Sequence, residues 1–432
     1  MTFYYRYVQS RAYSKWQAPS GGLETLEGLK RYVGRNLDLA GILDGERAFV
    51  GPEMVQIDLT NSCNNNCIGC WCRSPLLGDL VMPEEMQRQT LPLDLVKGVI
   101  KDCASMGTSQ IYLSGGGEPF LHPHIMDIVR FIKELGLTCH INTNFTLVDE
   151  DRASELVKLG VDFFIVSLWA ATPETYSRTH PNKSEATFKQ LIDTVRYMVR
   201  IKNGGPPSIV LYNVIMNLNY HELEDMIDLA TGLGVDAVEF TVMDAIPGRT
   251  DKLLLNDRQQ AEVLEACRRI QNQMFGTTLK GGLEVRLNDF MRRVSIPGAS
   301  KGDYETEMLD RIPCHIGWNF SRIVADGNVN ACLKAHRIPV GNIYESPFWK
   351  IWNSPEQRHF RRKTKEGNKN DPFFMMIGND ETAKVGCYRG CDDIDRNRRL
   401  WNRMQQQTLP YKMLLKGAGY LLRAKTHWNG RY

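Results

Sequence analysis

The stretch LTNSCNNNCIGCW, residues 59–71, carries three cysteines, Cys63, Cys67 and Cys70, in a C-x3-C-x2-C spacing. It overlaps the end of Val55–Thr60, an apolar segment whose alternation predicts a strand. Three thiolates on one short loop can bind three irons of a 4Fe-4S cluster and leave the fourth iron open to a small chelating molecule. The stretch therefore predicts a metal centre at the end of the first strand.

Cysteine usage in the whole chain favours metal binding over disulfides. The 432 residues include 11 cysteines, an odd number, and the opening MTFYYRYVQSR has no apolar signal-peptide core. Disulfide frameworks are typical of small secreted proteins, so we expect a cytoplasmic protein with metal-bound thiolates. Zinc is an alternative for the first cysteine cluster, because Cys72 could supply a fourth ligand. Three further cysteines lie in apolar segments, where we expect small buried side chains: Cys103, Cys139 and Cys267.

Composition and charge exclude several broad classes. Hydrophobic residues are 42% and charged residues 24% of the chain, which is typical of a globular protein. No run reaches the roughly 18 apolar residues of a membrane span, and the net charge of +3 predicts no nucleic-acid partner. Basic residues concentrate in runs such as Arg358–Lys365, for which we expect a solvent-exposed face. The amphipathic stretch Lys412–Arg423 is expected to form a helix docked on the barrel rather than on a membrane surface.

Short apolar segments alternate with amphipathic helices from Val55 to Met274, which predicts parallel strands with helical crossovers. Six strands are predicted, at Val55–Thr60, Ile111–Ser114, Thr138–Asn142, Phe163–Ser167, Ile209–Met216 and Val235–Met243. Helices are predicted at Asp94–Met106, His124–Leu135, Glu150–Leu159, Ser184–Ile201, His221–Leu233 and Asn256–Met274.

Alternation along these strands gives one polar face, which includes Gln56, Asp58, Tyr112, Asn213 and Glu239. The opposite face is apolar and suits packing against the helices. A polar inner face favours a ligand cavity over a closed barrel filled by aliphatic layers. The expected fold class is therefore α/β, a partial (β/α)6 TIM-like barrel.

The second predicted strand ends in Ser114-Gly115-Gly116-Gly117-Glu118-Pro119. Glycines let the backbone approach a ligand closely, and a glutamate beside them can accept a charge-assisted hydrogen bond. Together with the C-x3-C-x2-C loop and its following Trp71, this arrangement resembles the radical S-adenosylmethionine (radical SAM) superfamily. The resemblance covers about residues 54–247.

The resemblance implies an enzyme in which S-adenosylmethionine chelates the open iron of a 4Fe-4S cluster. An external electron, from a donor such as flavodoxin or ferredoxin, yields a 5′-deoxyadenosyl radical that removes hydrogen from a substrate. It also implies cofactor contacts from Gly115, Gly116, Gly117, Glu118, Asn142, Asn144, Ser167, Arg178 and Val242. Of these, Glu118 is expected to accept from the cofactor ammonium, Arg178 to pair with its carboxylate, and Val242 to flank its adenine. No catalytic side chain is identified.

A second set of cysteines lies towards the C-terminus: Cys314, Cys332, Cys387 and Cys391. Gly327 stands between the first two, and the turn signal around it predicts a hairpin of Arg322–Ala325 with Val329–Leu333. Four cysteines taken alone could bind zinc or an iron–sulfur cluster. The pattern resembles the auxiliary-cluster domains called SPASM and twitch. That resemblance implies a second 4Fe-4S cluster held by four cysteines, in a small C-terminal domain.

These observations predict five segments: 1–51, an N-terminal lead-in; 52–276, the radical SAM partial barrel; 277–313, a connector; 314–395, the auxiliary-cluster domain; and 396–432, a basic tail. The polar inner face favours an oxidoreductase acting on a small polar metabolite, such as a sugar, cyclitol or nucleotide-linked sugar. Dehydrogenation, epimerisation and deoxygenation all suit that hypothesis. One alternative is a maturase that modifies a ribosomally made peptide. Another is a non-catalytic zinc-binding interaction protein.

Overall fold

The computed structural model describes residues 26–279, 281–378 and 386–425. Residues 1–25 of the predicted lead-in and 426–432 of the predicted tail lie outside the described residues. The described chain begins with two helices, α1 (Leu26–Arg35) and α2 (Leu37–Asp44). Helix α2 ends at Gly45, whose φ of 97° is a left-handed conformation that glycine adopts without strain.

Six parallel strands form the centre of the fold, in the order in which they follow along the chain. They are β1 (Met54–Asp58), β2 (Gln110–Ser114), β3 (Thr138–Thr143), β4 (Phe163–Ser167), β5 (Ser208–Ile215) and β6 (Ala237–Val242). The intervening helices are α3 (Glu84–Gln87), α4 (Leu93–Ser105), α5 (Ile125–Glu134), α6 (Glu150–Leu159), α7 (Pro173–Thr179), α8 (Glu185–Lys202) and α9 (Leu223–Leu233). The predicted strands and crossover helices are confirmed, with bounds that differ by at most two residues.

The apolar outer faces of the strands pack against the helices. Ile57 and Leu113 are register partners on β1 and β2 and are at most 1% exposed. Helix α4 buries Val96, Val99, Ile100 and Cys103 on one face, at the spacing of an amphipathic helix. Cys103, Cys139 and Cys267 are each fully buried, so the prediction of small apolar side chains is confirmed at these positions.

The inner face of the barrel is polar, as expected, but the assignment of Asn213 to that face is wrong. In register, the row across the first three strands is Gln56, Tyr112 and His140, and the row across the next three is Ser167, Tyr212 and Glu239. Tyr212 rather than Asn213 faces inward, since Asn213 pairs with Phe240 on the opposite face. The prediction placed Asn213 on the inner face because its side chain is polar. The alternation of side chains along the strand places Tyr212 on that face instead.

The sheet continues beyond β6, into the predicted connector. After α10 (Asp257–Gln273), the strands β7 (Met274–Phe275), β8 (Thr278–Leu279) and β9 (Glu284–Arg286) follow. Strand β9 pairs in parallel with β6, and β8 and β7 add antiparallel beyond it. Helices α11 (Asn288–Ser295) and α12 (Thr306–Arg311) come next. The connector therefore extends the barrel sheet. Its strands have only two or three residues, too few to show the alternation of apolar and polar residues that predicts a strand.

The sheet also continues on the other side, through the C-terminal region. Strand β10 (Phe320–Ile323) pairs in parallel with β1, and β11 (Asn328–Asn330) and β12 (Gly341–Asn342) add antiparallel strands. The predicted hairpin is confirmed, although β10 begins two residues earlier than expected and β11 is shorter than expected. This pairing gives a sheet of twelve strands in the described residues. The partial-barrel fold class is confirmed, and the auxiliary region joins the barrel through shared backbone hydrogen bonds.

Five helices complete the described chain: α13 (Phe348–Ile351), α14 (Pro355–Glu366), α15 (Gly386–Arg389), α16 (Ile394–Gln406) and α17 (Leu409–Lys425). Helix α17 docks on the N-terminal helices and not on the barrel, where the amphipathic stretch was expected to dock. Gly419 lies against Phe49 and the carbonyl of Ala40, and Leu415 is fully buried. Among the described helices, each is too short or too polar to span a bilayer.

One member of the basic run Arg358–Lys365 contradicts the expected exposed face. Arg361 is fully buried, and its guanidinium donates to the carbonyls of Gly317, Trp352 and Glu46 at 2.8–3.2 Å. It also stacks over the ring of Trp352 at 4.5 Å. Arg361 thus ties helix α14 to the segment that leads into β1, a role that a charge pattern in the sequence does not reveal.

Candidate functional site

The cysteine loop, residues 61–72, lies at the carboxyl end of β1, where the ends of the other parallel strands also meet. Backbone N–H groups donate to two of its sulfurs at 3.4 Å, from Asn65 to Cys63 and from Cys72 to Cys70. A side-chain hydrogen bond from Cys72 lowers the pKa of Cys70 to about 6. Cys72 thus supports a neighbouring thiolate, which differs from the fourth-ligand role considered for it.

The glycine loop, residues 114–118, is pressed against the cysteine loop. The N–H of Glu118 donates to the carbonyl of Ser62 at 2.8 Å. A Cβ on Gly117 would stand 2.1 Å from that same carbonyl oxygen, so only glycine allows this approach. Gly115 has a φ of 144° and lies against Asp58 of β1. The glycines therefore serve the contact between two loops as well as access for a ligand.

The carboxylate of Glu118 is 2% exposed and is held by three internal donors. These are the hydroxyl of Thr143 at 2.6 Å and the backbone N–H groups of Asn144 at 2.8 Å and Phe120 at 3.1 Å. Asn144 in turn donates its amide to Asn64 of the cysteine loop at 2.8 Å. Glu118 therefore positions the cysteine loop through Asn144, and its expected direct contact with a cofactor ammonium stays a prediction.

The segment after β4 fastens the other side of the cysteine loop. Asn182 and Asn66 exchange two side-chain to backbone hydrogen bonds of 3.0 and 3.1 Å, and Asn182 also donates to the carbonyl of Asn64. The N–H of Ile68 donates to the carbonyl of Thr179 at 2.9 Å. Sequence reasoning missed Asn182. The run of three asparagines at 64–66 was the available signal, because asparagine side chains readily bond to a neighbouring backbone.

The other predicted cofactor contacts are distributed around this edge. Asn142 donates to the hydroxyl of Ser114 at 3.2 Å, which links β3 to the glycine loop. Ser167 ends β4 on the inner face. Arg178 lies in α7 and is exposed. These placements leave the roles assigned to the three residues as predictions.

The predicted adenine neighbour Val242 is buried at the end of β6. It lines a small cavity together with Ile215 and Leu255. Met243, the next residue, lines the same cavity and also approaches the cysteine loop, since a Cβ on Gly69 would stand 2.7 Å from its sulfur. The structure therefore brings Met243 to the loop, and the role of Val242 stays a prediction.

Unpartnered buried atoms at the same edge fit a polar ligand. In the described part of the chain, the buried atoms without a hydrogen-bond partner include Asn142 Oδ1, Trp169 Nε1 and His180 Nε2. The ring centroids of Trp169 and His180 lie 5.5 Å apart. His180 stands in the sequence between Thr179 and Asn182, the two residues that bond to the cysteine loop. Buried polar groups are almost always hydrogen-bonded in folded proteins. The edge therefore offers one acceptor and two ring nitrogens to an incoming polar molecule such as S-adenosylmethionine.

The second cysteine set lies beyond β1 on the auxiliary side of the sheet. Burial raises the pKa of the thiols of Cys314, Cys332, Cys387 and Cys391. For Cys332 and Cys391, charges on Asp393, Cys387 and Cys314 raise the pKa further. A metal cluster would supply the positive charge that stabilises these buried sulfurs as thiolates.

In the residues that the structure describes, no three His, Cys, Asp or Glu side chains converge closely enough to hold a single metal ion. A zinc ion draws its four ligands within about 2.3 Å of one point. A 4Fe-4S cluster is a larger body, so its thiolate ligands stand further apart. Both cysteine sets have a donor chemistry that fits iron–sulfur clusters.

Comparison with known families identifies the chain. Residues 57–230 match the model of the Radical SAM superfamily, a stretch that includes the cysteine loop, the glycine loop and α7. The chain contains a radical SAM domain. Residues 314–372 match the SPASM iron-sulfur cluster-binding domain, which begins at Cys314. The two matches imply two 4Fe-4S clusters, and the alternative of a non-catalytic zinc-binding protein finds no support.

Curated relatives differ in how much of this radical SAM protein they match. PqqA peptide cyclase of Gluconobacter oxydans is 27% identical over 320 residues, 72% of this chain and 79% of that protein. GTP 3',8-cyclase of Clostridium perfringens is 25% identical over 342 residues, 76% and 97% of the two chains. The tungsten-containing aldehyde ferredoxin oxidoreductase cofactor-modifying protein of Pyrococcus furiosus is 28% identical over 185 residues, 42% of this chain and only 49% of that protein.

Solved structures share the fold. Streptococcus suis SuiB bound to S-adenosylmethionine aligns with a TM-score of 0.58 at 14% identity, over 84% of this chain and 79% of that one. SuiB bound to its precursor peptide SuiA aligns with a TM-score of 0.56 over the same shares. At this identity the likeness establishes the architecture, a radical SAM barrel with an auxiliary-cluster region.

Proposed function

We propose that this radical SAM enzyme modifies a ribosomally made peptide. The observation that carries the proposal is the match to PqqA peptide cyclase, which extends over 72% of this chain and 79% of that protein. The 320 matched residues are more than the stretch 57–230 that the Radical SAM family model covers, so the similarity extends beyond that stretch. The proposal thus prefers the peptide alternative to the small polar metabolite that the inner face first favoured.

Ion pairs and hydrogen bonds between side chains of the inner face also favour a peptide substrate over a small polar metabolite. Arg286 donates to Glu239 at 2.6 Å, and Arg293 donates to Thr241 at 3.1 Å. Lys334 forms an ion pair with Asp244 just beyond the end of β6. These polar groups already have partners, so their presence does not require a sugar or cyclitol as ligand. The reason for expecting a small polar substrate is therefore weakened.

The residues of this chain would act mainly by placement. Cys63, Cys67 and Cys70 would hold the first cluster, and the glycine loop would lie beside the cofactor. When bound, the cluster and S-adenosylmethionine supply a 5′-deoxyadenosyl radical, which removes a hydrogen atom from a substrate C–H bond. Glu118 and Asn182 would keep the cysteine loop fixed, so that the bound cofactor stays in a productive orientation towards the substrate. An external one-electron donor, such as flavodoxin or ferredoxin, would reduce the cluster.

The auxiliary cysteines suit an oxidative modification. A substrate that loses a hydrogen atom becomes a radical and must lose one further electron and a proton to give an oxidised product. Cys314, Cys332, Cys387 and Cys391 would fully ligate an auxiliary cluster, which would supply an acceptor for that electron. We therefore propose an oxidoreductase that forms a new bond within a peptide.

The test is substrate-dependent cleavage of S-adenosylmethionine. The anaerobic enzyme is reduced and incubated with short peptides encoded beside its gene, with GTP, or with nucleotide sugars. The proposal expects 5′-deoxyadenosine above background with one peptide, and a peptide product 2 Da lighter for one new bond. A response to GTP alone would instead favour the second candidate, a nucleotide-modifying enzyme, which the GTP 3',8-cyclase match over 97% of that protein supports.

A further inference from the structure

A buried ion pair joins β1 of the barrel to β10 of the auxiliary region. Arg322 donates to one carboxylate oxygen of Asp58 through Nε at 3.0 Å and through Nη2 at 2.6 Å. The side chain of Asp58 is 1% exposed and that of Arg322 is 14% exposed. The second oxygen of Asp58 accepts from Gln56 at 2.9 Å. A pair this well buried interacts strongly, because little water screens it.

Each partner also contacts one of the two metal-binding regions. Asp58 lies under the glycine loop, since a Cβ on Gly115 would stand 2.7 Å from the Asp58 Cβ. Arg322 donates through Nη1 to the carbonyl of Leu333 at 3.0 Å, and Leu333 directly follows the auxiliary ligand Cys332. Burial lowers the pKa of Arg322, but attraction to Asp58, and after it to Cys72 and Cys332, outweighs burial and raises that pKa. A short chain of contacts therefore runs from the cofactor loop to the auxiliary cysteines.

We propose that Asp58 and Arg322 are positioning residues that couple the two iron–sulfur sites, with Arg322 also setting the reduction potential of the auxiliary cluster. Reduction adds one negative charge to a cluster. A fixed cation near Cys332 stabilises the reduced form, and the carboxylate of Asp58 offsets part of that effect. The inference needs the two clusters, but it does not depend on which substrate the enzyme takes.

The two members of the pair therefore have opposite expected effects on the auxiliary cluster. Arg322→Met removes the cation and should make the cluster harder to reduce. Asp58→Asn leaves the cation uncompensated and should make it easier to reduce. We expect a change of about tenfold in the ratio of reduced to oxidised cluster at a fixed potential, which is about 59 mV for a one-electron couple. Arg322→Lys keeps the charge and should stay closer to the parent protein than Arg322→Met.

The experiment is a redox titration of the full-length protein with both clusters loaded, followed by the electron paramagnetic resonance signal of the auxiliary cluster. Iron content is measured on each variant. Arg403→Met is the matched control, because Arg403 pairs with Asp38 of the N-terminal helix α2 at 2.7 Å. Opposite shifts for Asp58→Asn and Arg322→Met support the proposal. Shifts of the same sign, or no shift, overturn it.

If Arg322→Met loses its auxiliary iron, its reduction potential cannot be measured, and Asp58→Asn and Arg322→Lys test the proposal. In that event the proposal requires Asp58→Asn to raise the potential while Arg322→Lys retains its iron. An unchanged potential in Asp58→Asn at full iron content would overturn the electrostatic role. The substrate assay plays no part in this outcome, so failure here and failure of the peptide proposal are distinguishable.

Discussion

Glu118 and Asn144 are joined by a hydrogen bond of 2.8 Å from a backbone N–H to a buried carboxylate oxygen, and the Asn144 side chain continues to Asn64 in the cysteine loop. Glu118→Gln keeps the size of the side chain but turns an N–H group towards one of its donors. We expect S-adenosylmethionine binding to weaken by roughly 10- to 100-fold, since hydrogen bonds to a charged group contribute about 1.5–3 kcal/mol. Anaerobic titration of the loaded protein measures it.

The control for that prediction is Glu84→Gln, because the side chain of Glu84 is 78% exposed. It should bind S-adenosylmethionine like the parent protein. The melting temperature of Glu118→Gln should fall much less than its affinity. Parent-like affinity in Glu118→Gln would show that the path through Asn144 has no effect on the cofactor site.

Gly117→Ala tests the close approach of the glycine loop to the cysteine loop. The new methyl group would stand 2.1 Å from the carbonyl oxygen of Ser62, so the two loops must separate. We expect the variant to lose the iron of the first cluster or its affinity for S-adenosylmethionine, while the auxiliary cluster remains. Gly98→Ala is the matched control in α4, where no other atom lies within 4 Å of the new methyl group.

Gly98→Ala should retain both clusters and gain about 0.5–1 kcal/mol of stability from the lower backbone entropy of alanine in a helix. Equal behaviour of the two alanine variants in iron content and cofactor binding would contradict the steric account of Gly117.

Arg361 provides a test of how the auxiliary region is anchored. Its guanidinium is fully buried and donates to three carbonyls and to Asn353. Arg361→Met leaves those acceptors without a donor, and we expect a loss of about 3 kcal/mol in unfolding free energy. Arg362→Met, on a side chain that is 43% exposed, should change it by less than about 0.5 kcal/mol. Denaturant unfolding compares them, and equal losses would contradict the anchoring role.

The sequence predicted most of the barrel because its strands and helices carry strong periods. Val55–Thr60 alternates strictly, and Glu150–Leu159 ends at a glycine with a φ of 73°, so both elements were located closely. Short strands escaped prediction. Strand β9 has three residues, too few for a period, and its pairing with β6 depends on distant residues. Asn213 was misassigned because polarity was followed where the pleat decides the face.

The two cysteine sets could be predicted because thiolate spacing reflects the chemistry of the metal directly. The residues that hold those loops could not. Glu118 was expected to face the cofactor, yet its three donors come from residues up to 26 positions away. Asn182 reaches the cysteine loop across more than a hundred residues. The Asp58–Arg322 pair likewise spans 264 positions, so only the pairing of β1 with β10 reveals it.

A double variant separates the role of the auxiliary cluster from that of the first. Cys387→Ala with Cys391→Ala removes two of the four auxiliary ligands. We expect the auxiliary iron to be lost, while reduced protein still cleaves S-adenosylmethionine and yields little oxidised product. Cleavage is measured as 5′-deoxyadenosine and product by mass spectrometry. Product at the parent yield would contradict the proposal that this cluster accepts the substrate electron.

If the enzyme epimerises its substrate instead, no electron acceptor is needed and a hydrogen atom must be returned. The reaction in deuterated water then distinguishes the two cases. Stoichiometric deuterium at the reacting carbon, without net oxidation, would replace the oxidative account.

The most direct test of the central claim, a radical SAM enzyme with two separate clusters, is the iron content and cofactor cleavage of the triple variant Cys63→Ala, Cys67→Ala, Cys70→Ala. Anaerobically purified parent protein should contain about eight irons and the variant about four, since each 4Fe-4S cluster holds four. The variant should form no 5′-deoxyadenosine under strong reductant. A variant that still cleaves S-adenosylmethionine, or that retains all its iron, would contradict the account.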